Sequence, residues 1–261
     1  MRYFLSMLII LSSINYSTGQ DFSKLFEAKV FSENNIALPY RIMFPKNFNP
    51  KQKYPLIVFL HGAGERGSDN LKQLTHGASM FASDSVRDKY PAIVIFPQCE
   101  TNSYWANVKI NQDDKGFRSF QFFPEEKPTP PMELLVKFIK SMSKEKYIDK
   151  NRIYVGGLSM GGMGTFELLY RLPKVFAAAF PICGGSNPDV AKKYSKKVKL
   201  WIFHGEMDEI VSVEYSKQML TAIQANKGDA KLTTYPYVNH NSWDNAFKEP
   251  ELMPWLFSIK K

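Results

Sequence analysis

The stretch VGGLSMGGMGTF, residues 155–166, sets a single serine, Ser159, among five glycines. A hydrophobic run precedes it, and a helix-forming run that stops at Pro173 follows. At its centre, Gly157-Leu158-Ser159-Met160-Gly161 is a GxSxG pattern, and this setting predicts a sharp turn from a buried strand into a helix. Such a turn lifts the serine hydroxyl clear of the sheet, and glycine neighbours let strand and helix approach closely. The amino end of the helix then faces the hydroxyl, where free amides and the helix dipole favour developing negative charge. A turn without chemistry also uses glycine; the strand before, the helix after and the further glycines at 156, 162 and 164 favour a reactive serine.

Outward from this turn, apolar runs alternate with helix-forming ones. PLIVFLHG (55–62) and AIVIFPQ (92–98) read as strands buried on both faces of a parallel sheet, and IYVGGLS (153–159), FAAAFPICGG (176–185), KLWIFHG (199–205) and LTTYPYV (232–238) continue the series. LPYRIMF (38–44) reads as an outer strand. Helices are predicted over residues 132–146 after PTPP, over 160–171, over 213–225 and near the C-terminus, with proline and glycine as punctuation. The alternation predicts an α/β fold in one domain: a mostly parallel, doubly wound sheet flanked by helices, with ligands at the carboxyl ends of the strands. Residues 101–131 are polar and end in prolines, so they are expected to form an excursion beside the site or a plain surface loop.

The 261 residues suffice for a full core, and 44% hydrophobic with 23% charged residues excludes disordered, collagen-like and integral membrane classes. Residues 1–19 place Arg2 before an apolar run closed by Ser17, Thr18 and Gly19, the pattern of a cleavable secretory signal. Ser12, Ser13 and Asn15 interrupt the run too early for a membrane anchor. The mature chain is therefore expected to cover residues 20–261, secreted or periplasmic, with no stable membrane insertion. Its charge of +9 falls by one, to +8, with the leader. The lysines are scattered and the densest cluster, AKKYSKKVK (191–199), reads as a solvated segment, so no nucleic-acid partner is expected. Cys99 and Cys183 are the only cysteines, which gives no disulfide framework.

A serine becomes a nucleophile only when a histidine takes its proton, and that histidine must be oriented by a carboxylate. His61 and His204 precede glycines at strand ends and His76 lies in a helix or loop, so all three read as structural. His240, in YPYVNHNSW, follows the last strand. Behind KLWIFHG, the segment HGEMDEIVS offers Glu206, Asp208 and Glu209 as the acid.

LHGAGERGSDN, FPQC with the later Trp105, GLSMGGMGTF, HGEMD and VNHNSWD together resemble the α/β-hydrolase superfamily. The likeness is to its secreted esterase and dienelactone-hydrolase-like group, which includes feruloyl and acetyl-xylan esterases, and to prolyl-oligopeptidase catalytic domains. The resemblance implies the α/β-hydrolase fold and the chain order serine, acid, histidine, which selects Ser159, Asp208 and His240. By likeness to HGxxDxxV segments Asp208 is the acid, and by likeness to HGx loops the Ala63 amide joins that of Met160 as an oxyanion donor. The borrowed strand order sets two strands between those ending at Cys99 and Cys183; three spacings of about 4.8 Å give a gap of roughly 14 Å, which defeats a disulfide.

The implied activity is hydrolysis of carboxylic esters through an acyl-enzyme, on small-molecule or polysaccharide-linked esters such as feruloyl or acetyl groups, with no metal or cofactor. Trp105, Tyr104 and Trp243 are candidate pocket residues, since aromatic faces stack on sugars or phenolic acyl groups; each is equally a candidate core or loop anchor. A peptidase is the rival reading. Peptidases of this group usually carry a large propeller before the hydrolase domain, and about thirty residues precede the first predicted strand here. A third reading is a binding module that kept the fold and lost catalysis.

Overall fold

The computed structural model describes residues 21–34 and 36–261, so the expected leader lies outside the described residues. The strands are β1 (Glu27–Glu33), β2 (Ile36–Met43), β3 (Tyr54–Leu60), β4 (Ile93–Pro97), β5 (Val108–Gln112), β6 (Arg118–Phe122), β7 (Ile148–Leu158), β8 (Ala178–Ile182), β9 (Lys199–Gly205) and β10 (Ala230–Tyr235). Eight of them form one sheet in the order β1-β2-β4-β3-β7-β8-β9-β10, and β5 and β6 pair separately as a hairpin. From β4 through β10 all neighbours in the large sheet are parallel, whereas β2 runs against both β1 and β4.

Burial explains the pattern. Every residue of β3, β4 and β8 is buried, as wholly apolar runs predict for strands covered on both faces. The helices are α1 (Ala78–Ala82), α2 (Asp84–Lys89), α3 (Pro130–Met142), α4 (Met160–Arg171), α5 (Val213–Ala225), α6 (Trp243–Ala246) and α7 (Leu252–Ser258). One core lies between the sheet and α3, α4 and α5, around Phe138, Phe166 and Ile223; the other lies on the opposite face with α1, α6 and α7, around Phe59, Phe81 and Leu256.

Several local expectations need correction. The segment expected as the outer strand, β2, is covered by β1, whose alternating and mostly exposed EAKVFSE pairs with it from Glu27↔Ile42 to Glu33↔Ile36. The third helix starts two residues earlier than expected, at Pro130, because prolines fit the first helical turn and the Thr129 hydroxyl accepts a hydrogen bond from the Met132 N–H. It also ends at Met142, because the chain must turn to enter β7 at Ile148. Residues 101–131 are not a plain loop: they carry the β5–β6 hairpin, which packs Phe120 and Phe122 edge-on against Tyr215 of α5. Cys99 and Cys183 are free and buried, with β3 and β7 between their strands.

This order fixes where a ligand can sit. From β3 the chain crosses to β4 on one side, while β7 lies on the other side of β3. That reversal of winding opens a crevice at the carboxyl ends of β3 and β7, beside the loop after Leu60 and the turn at Ser159.

Candidate active site

Ser159 sits between β7 and α4 at φ +53° and ψ −117°, a left-handed conformation that costs a non-glycine residue about 1–3 kcal/mol. The turn is held by its neighbours: the Ser159 N–H donates to the Ile182 carbonyl at 2.9 Å, and the Ser159 carbonyl accepts from the Met163 N–H at 3.0 Å. The pattern glycines are required by proximity. A Cβ at Gly161 would stand 2.0 Å from the Leu60 carbonyl oxygen, and one at Gly157 would stand 2.4 Å from that of Gly161.

Three side chains remote in sequence meet here. His240 Nε2 lies 2.8 Å from Ser159 Oγ, and His240 Nδ1 lies 2.8 Å from Asp208 Oδ2. Because a carboxylate only accepts, the proton resides on Nδ1 and the Nε2 lone pair faces the serine hydroxyl. Asp208 is fully buried at its side chain, and its Oδ1 accepts from the Ile210 and Val211 N–H groups at 2.9 Å each. Burial by itself would raise its pKa, but hydrogen bonds from His204 and His240 and from the Val211 amide outweigh it and hold the acid below the usual carboxylate range. The loops are also tied together: Asn239 Oδ1 accepts from the His240 N–H at 2.7 Å and from the Glu209 N–H at 3.2 Å.

His204, which reads from the sequence as a structural hydrogen-bonding residue, has its Nε2 3.1 Å from Asp208 Oδ2 and 2.8 Å from the Val211 carbonyl. The carbonyl has lone pairs alone, so Nε2 carries a proton and can also donate to the acid. Nothing in HGEMD marks this, because the contact arises only when the Asp208–Val211 loop folds back over the end of β9.

The loop after β3 is braced from below. His61 donates from Nδ1 to the Gly62 carbonyl at 2.6 Å and accepts at Nε2 from the Cys99 N–H at 3.0 Å, while Arg66 donates to the Ala63 carbonyl at 2.9 Å. Neither the Ala63 nor the Met160 N–H has a hydrogen-bond partner among the described residues, so both remain available to an anion. Burial pushes His61 down from 6.5 to about 4. The unfolded chain therefore gains a proton at this residue as pH falls below about 6.5, while the native chain gains it only near 4; stability is lost across that window. The loss is expected to approach about 3 kcal/mol. Urea unfolding at pH 7, 5.5 and 4.5 should show a steeper fall for the wild type than for His61→Gln, and equal slopes would contradict it.

The crevice above Ser159 is a cleft of about 360 Å³ lined by the 62–65 loop, Tyr104, Arg118, Phe120, Ile210, Trp243 and the Ser159–His240 pair. Tyr104 and Trp243 both line the cleft, and Trp243 lies edge-on to His240 with centroids 5.4 Å apart. Trp105 does not line the cleft. It is fully buried, edge-on to His61 at 5.4 Å, and its Cβ fills the space beside Gly164. Sequence reasoning missed Arg118, Phe120 and Glu65, which reach the cleft through loop packing. Among the described residues, the one cluster of three possible metal donors is Cys183, Asp208 and His240, and there His240 Nδ1 already donates to Asp208.

The profile of the phospholipase/carboxylesterase family matches residues 48–250. A bifunctional acetylxylan esterase/xylanase, XynS20E, of Neocallimastix patriciarum is 28% identical over 172 residues, which cover 65% of this chain and 21% of that protein. The crystal structure of a thermostable esterase superimposes with a TM-score of 0.81 at 35% identity, over 92% of this chain and 64% of that one. A putative dipeptidyl aminopeptidase IV from Bacteroides ovatus shares the fold, with a TM-score of 0.63 at 18% identity over 90% of this chain and 36% of that one. The chain thus spans about a fifth of the first relative and just under two thirds of the second. The chain belongs to the phospholipase/carboxylesterase family and has the α/β-hydrolase fold.

Proposed function

We propose that this esterase-type hydrolase is exported and cleaves carboxylic esters through an acyl-enzyme, using Ser159, His240 and Asp208. The observation that carries the reading is the unbroken relay from Ser159 Oγ to His240 Nε2 and from His240 Nδ1 to Asp208, with both links at 2.8 Å. In the first half-reaction Ser159 Oγ bonds to the ester carbonyl carbon while its proton passes to His240 Nε2. The oxyanion accepts hydrogen bonds from the Ala63 and Met160 amides, and the Asp208 carboxylate stabilises the imidazolium. Collapse breaks the carbon–oxygen bond, and the departing alcohol takes the proton from His240. Water then attacks the acyl-enzyme by the same proton path, releasing the acid and regenerating Ser159.

Acyl groups on plant polysaccharides are the proposed substrates. Tyr104 and Trp243 offer aromatic faces in the cleft, and the XynS20E relative is an acetylxylan esterase. A peptidase remains the second reading, supported by the likeness of fold to the Bacteroides ovatus protein. Export rests on the apolar leader; among the described residues no helix is long and apolar enough to cross a membrane.

One experiment separates these readings. The purified protein should react with a fluorophosphonate probe at Ser159 and turn over 4-nitrophenyl acetate at least a hundredfold faster than a prolyl 4-nitroanilide, with acetylated xylan and methyl ferulate tested alongside. Faster turnover of the anilide would transfer the site to the peptidase reading. A chain inert to the probe would match a binding module.

A further inference from the structure

Arg118 lies on β6, and its side chain shares a face with Phe120 and Phe122, since alternate residues of a strand point the same way. That face is anchored. The Phe120 N–H donates to the Tyr215 hydroxyl at 2.8 Å, and both phenylalanine rings stand edge-on to Tyr215 with centroids 5.7 and 5.8 Å away. The hairpin is thus fixed against α5 close to the nucleophile, and Arg118 and Phe120 line the same cleft as Ser159 and His240.

Four of the other arginines show what a structural guanidinium does in this protein, whereas Arg87, which lines a different pocket, makes no side-chain hydrogen bond or ion pair among the described residues. Arg41 donates to the Phe26 and Asn70 carbonyls, Arg66 to those of Ala63 and Ser103, Arg152 to the Asp149 carboxylate and Arg171 to Glu167. Arg118 has neither a carboxylate within 4.0 Å nor a side-chain hydrogen bond among the described residues, although it lines the cleft of the reactive serine. The acid of that cleft, Glu65, faces His76 at 3.7 Å instead. One wall therefore carries an uncompensated, permanently charged fork, in a chain whose net charge is already +9.

We propose that Arg118 forms an anion subsite beside the acyl-transfer centre, and that the preferred esters carry a carboxylate on the part of the substrate lying against the β5–β6 hairpin. A guanidinium matches a carboxylate with two parallel hydrogen bonds, and the surrounding positive charge draws such substrates in. This deepens the ester-hydrolase reading and rests on it.

Two matched substrate pairs test the subsite and distinguish where the carboxylate lies. On the acyl side the pair is 4-nitrophenyl hemisuccinate and 4-nitrophenyl succinamate; on the alcohol side it is 4-acetoxybenzoate and 4-acetoxybenzamide. Within each pair the charge changes while size is nearly kept. The readout is the anionic-to-neutral ratio of kcat/KM, in which any partial loss of active protein cancels. For one of the two pairs the ratio is expected to fall about fivefold in Arg118→Gln, and to recover in large part in Arg118→Lys. In the wild type the same ratio should fall between 0.05 and 0.5 M NaCl. Ratios equal within twofold in wild type and Arg118→Gln, for both pairs, would overturn the subsite while leaving ester hydrolysis intact. If the wild type hydrolyses none of the four esters, the ester-hydrolase reading itself falls, and the subsite with it.

Discussion

Alanine at position 159 is expected to lower kcat for a short nitrophenyl ester by about ten-thousandfold or more, with the melting temperature within a few degrees of the wild type. The size follows from removing the group that forms the covalent bond. What remains is binding and the proposed oxyanion amides of Ala63 and Met160, and their residual contribution cannot replace a nucleophile. Little stability should change, because alanine meets the same left-handed backbone at φ +53° and loses one half-exposed hydrogen bond to His240. Asp208→Asn provides the contrast. Its new amide would have to face the Ile210 and Val211 N–H groups or the His204 and His240 nitrogens, all of which donate to the carboxylate now. A buried donor set against donors is costly, so this variant should lose stability as well as activity. Kinetics paired with thermal melts decides the matter: substantial turnover by Ser159→Ala, or an Asp208→Asn protein as stable as wild type, would contradict the relay.

Much of this site is legible in the chain because it rests on close packing. GxSxG is readable since only glycine tolerates a Cβ position 2.0 Å from the Leu60 carbonyl, and the buried strands announce themselves as unbroken apolar runs. Position behind strand ends narrowed the proposed acid to Glu206, Asp208 and Glu209 and pointed to His240, and the resemblance to HGxxDxxV segments with the chain order singled out Asp208 and His240. The edge strand β1 was missed for the opposite reason: it is mostly exposed, so its lysine and glutamates carry no apolar signal. The role of Arg118 was not legible either, since its position depends on Phe120 docking against Tyr215, 95 residues away. Trp105 and Tyr104 show a third limit. The two are adjacent and chemically alike, yet one is buried against His61 and the other reaches the cleft, a choice of direction that composition does not encode.

The helix start behind Ser159 is where packing and chemistry depend on the same atoms, and Gly161→Ala is expected to lower stability by more than about 3 kcal/mol. Backbone preference works against this result, since alanine favours a helix over glycine by about 1 kcal/mol. Space decides it. The added methyl would lie 2.0 Å from the Leu60 oxygen, 2.5 Å from the Leu60 carbonyl carbon and 2.7 Å from the His61 oxygen, all backbone atoms at the end of β3 with no rotamer to change. Relief requires α4 to move away from β3. That movement separates the Met160 amide from the 62–65 loop carrying the Ala63 amide, so activity should fall with stability. For a domain of this size the loss corresponds to a melting temperature lower by roughly 6–12 °C. Gly64→Ala, in the neighbouring glycine loop, is the control: its Cβ would meet nothing within 4 Å, and the change is expected to stay within about 0.5 kcal/mol. If the two variants melt together, close approach is not what the GxSxG glycines provide. If Gly161→Ala alone is damaged in both stability and turnover, one contact between β3 and α4 sets the nucleophile turn and the oxyanion loop at their working distance.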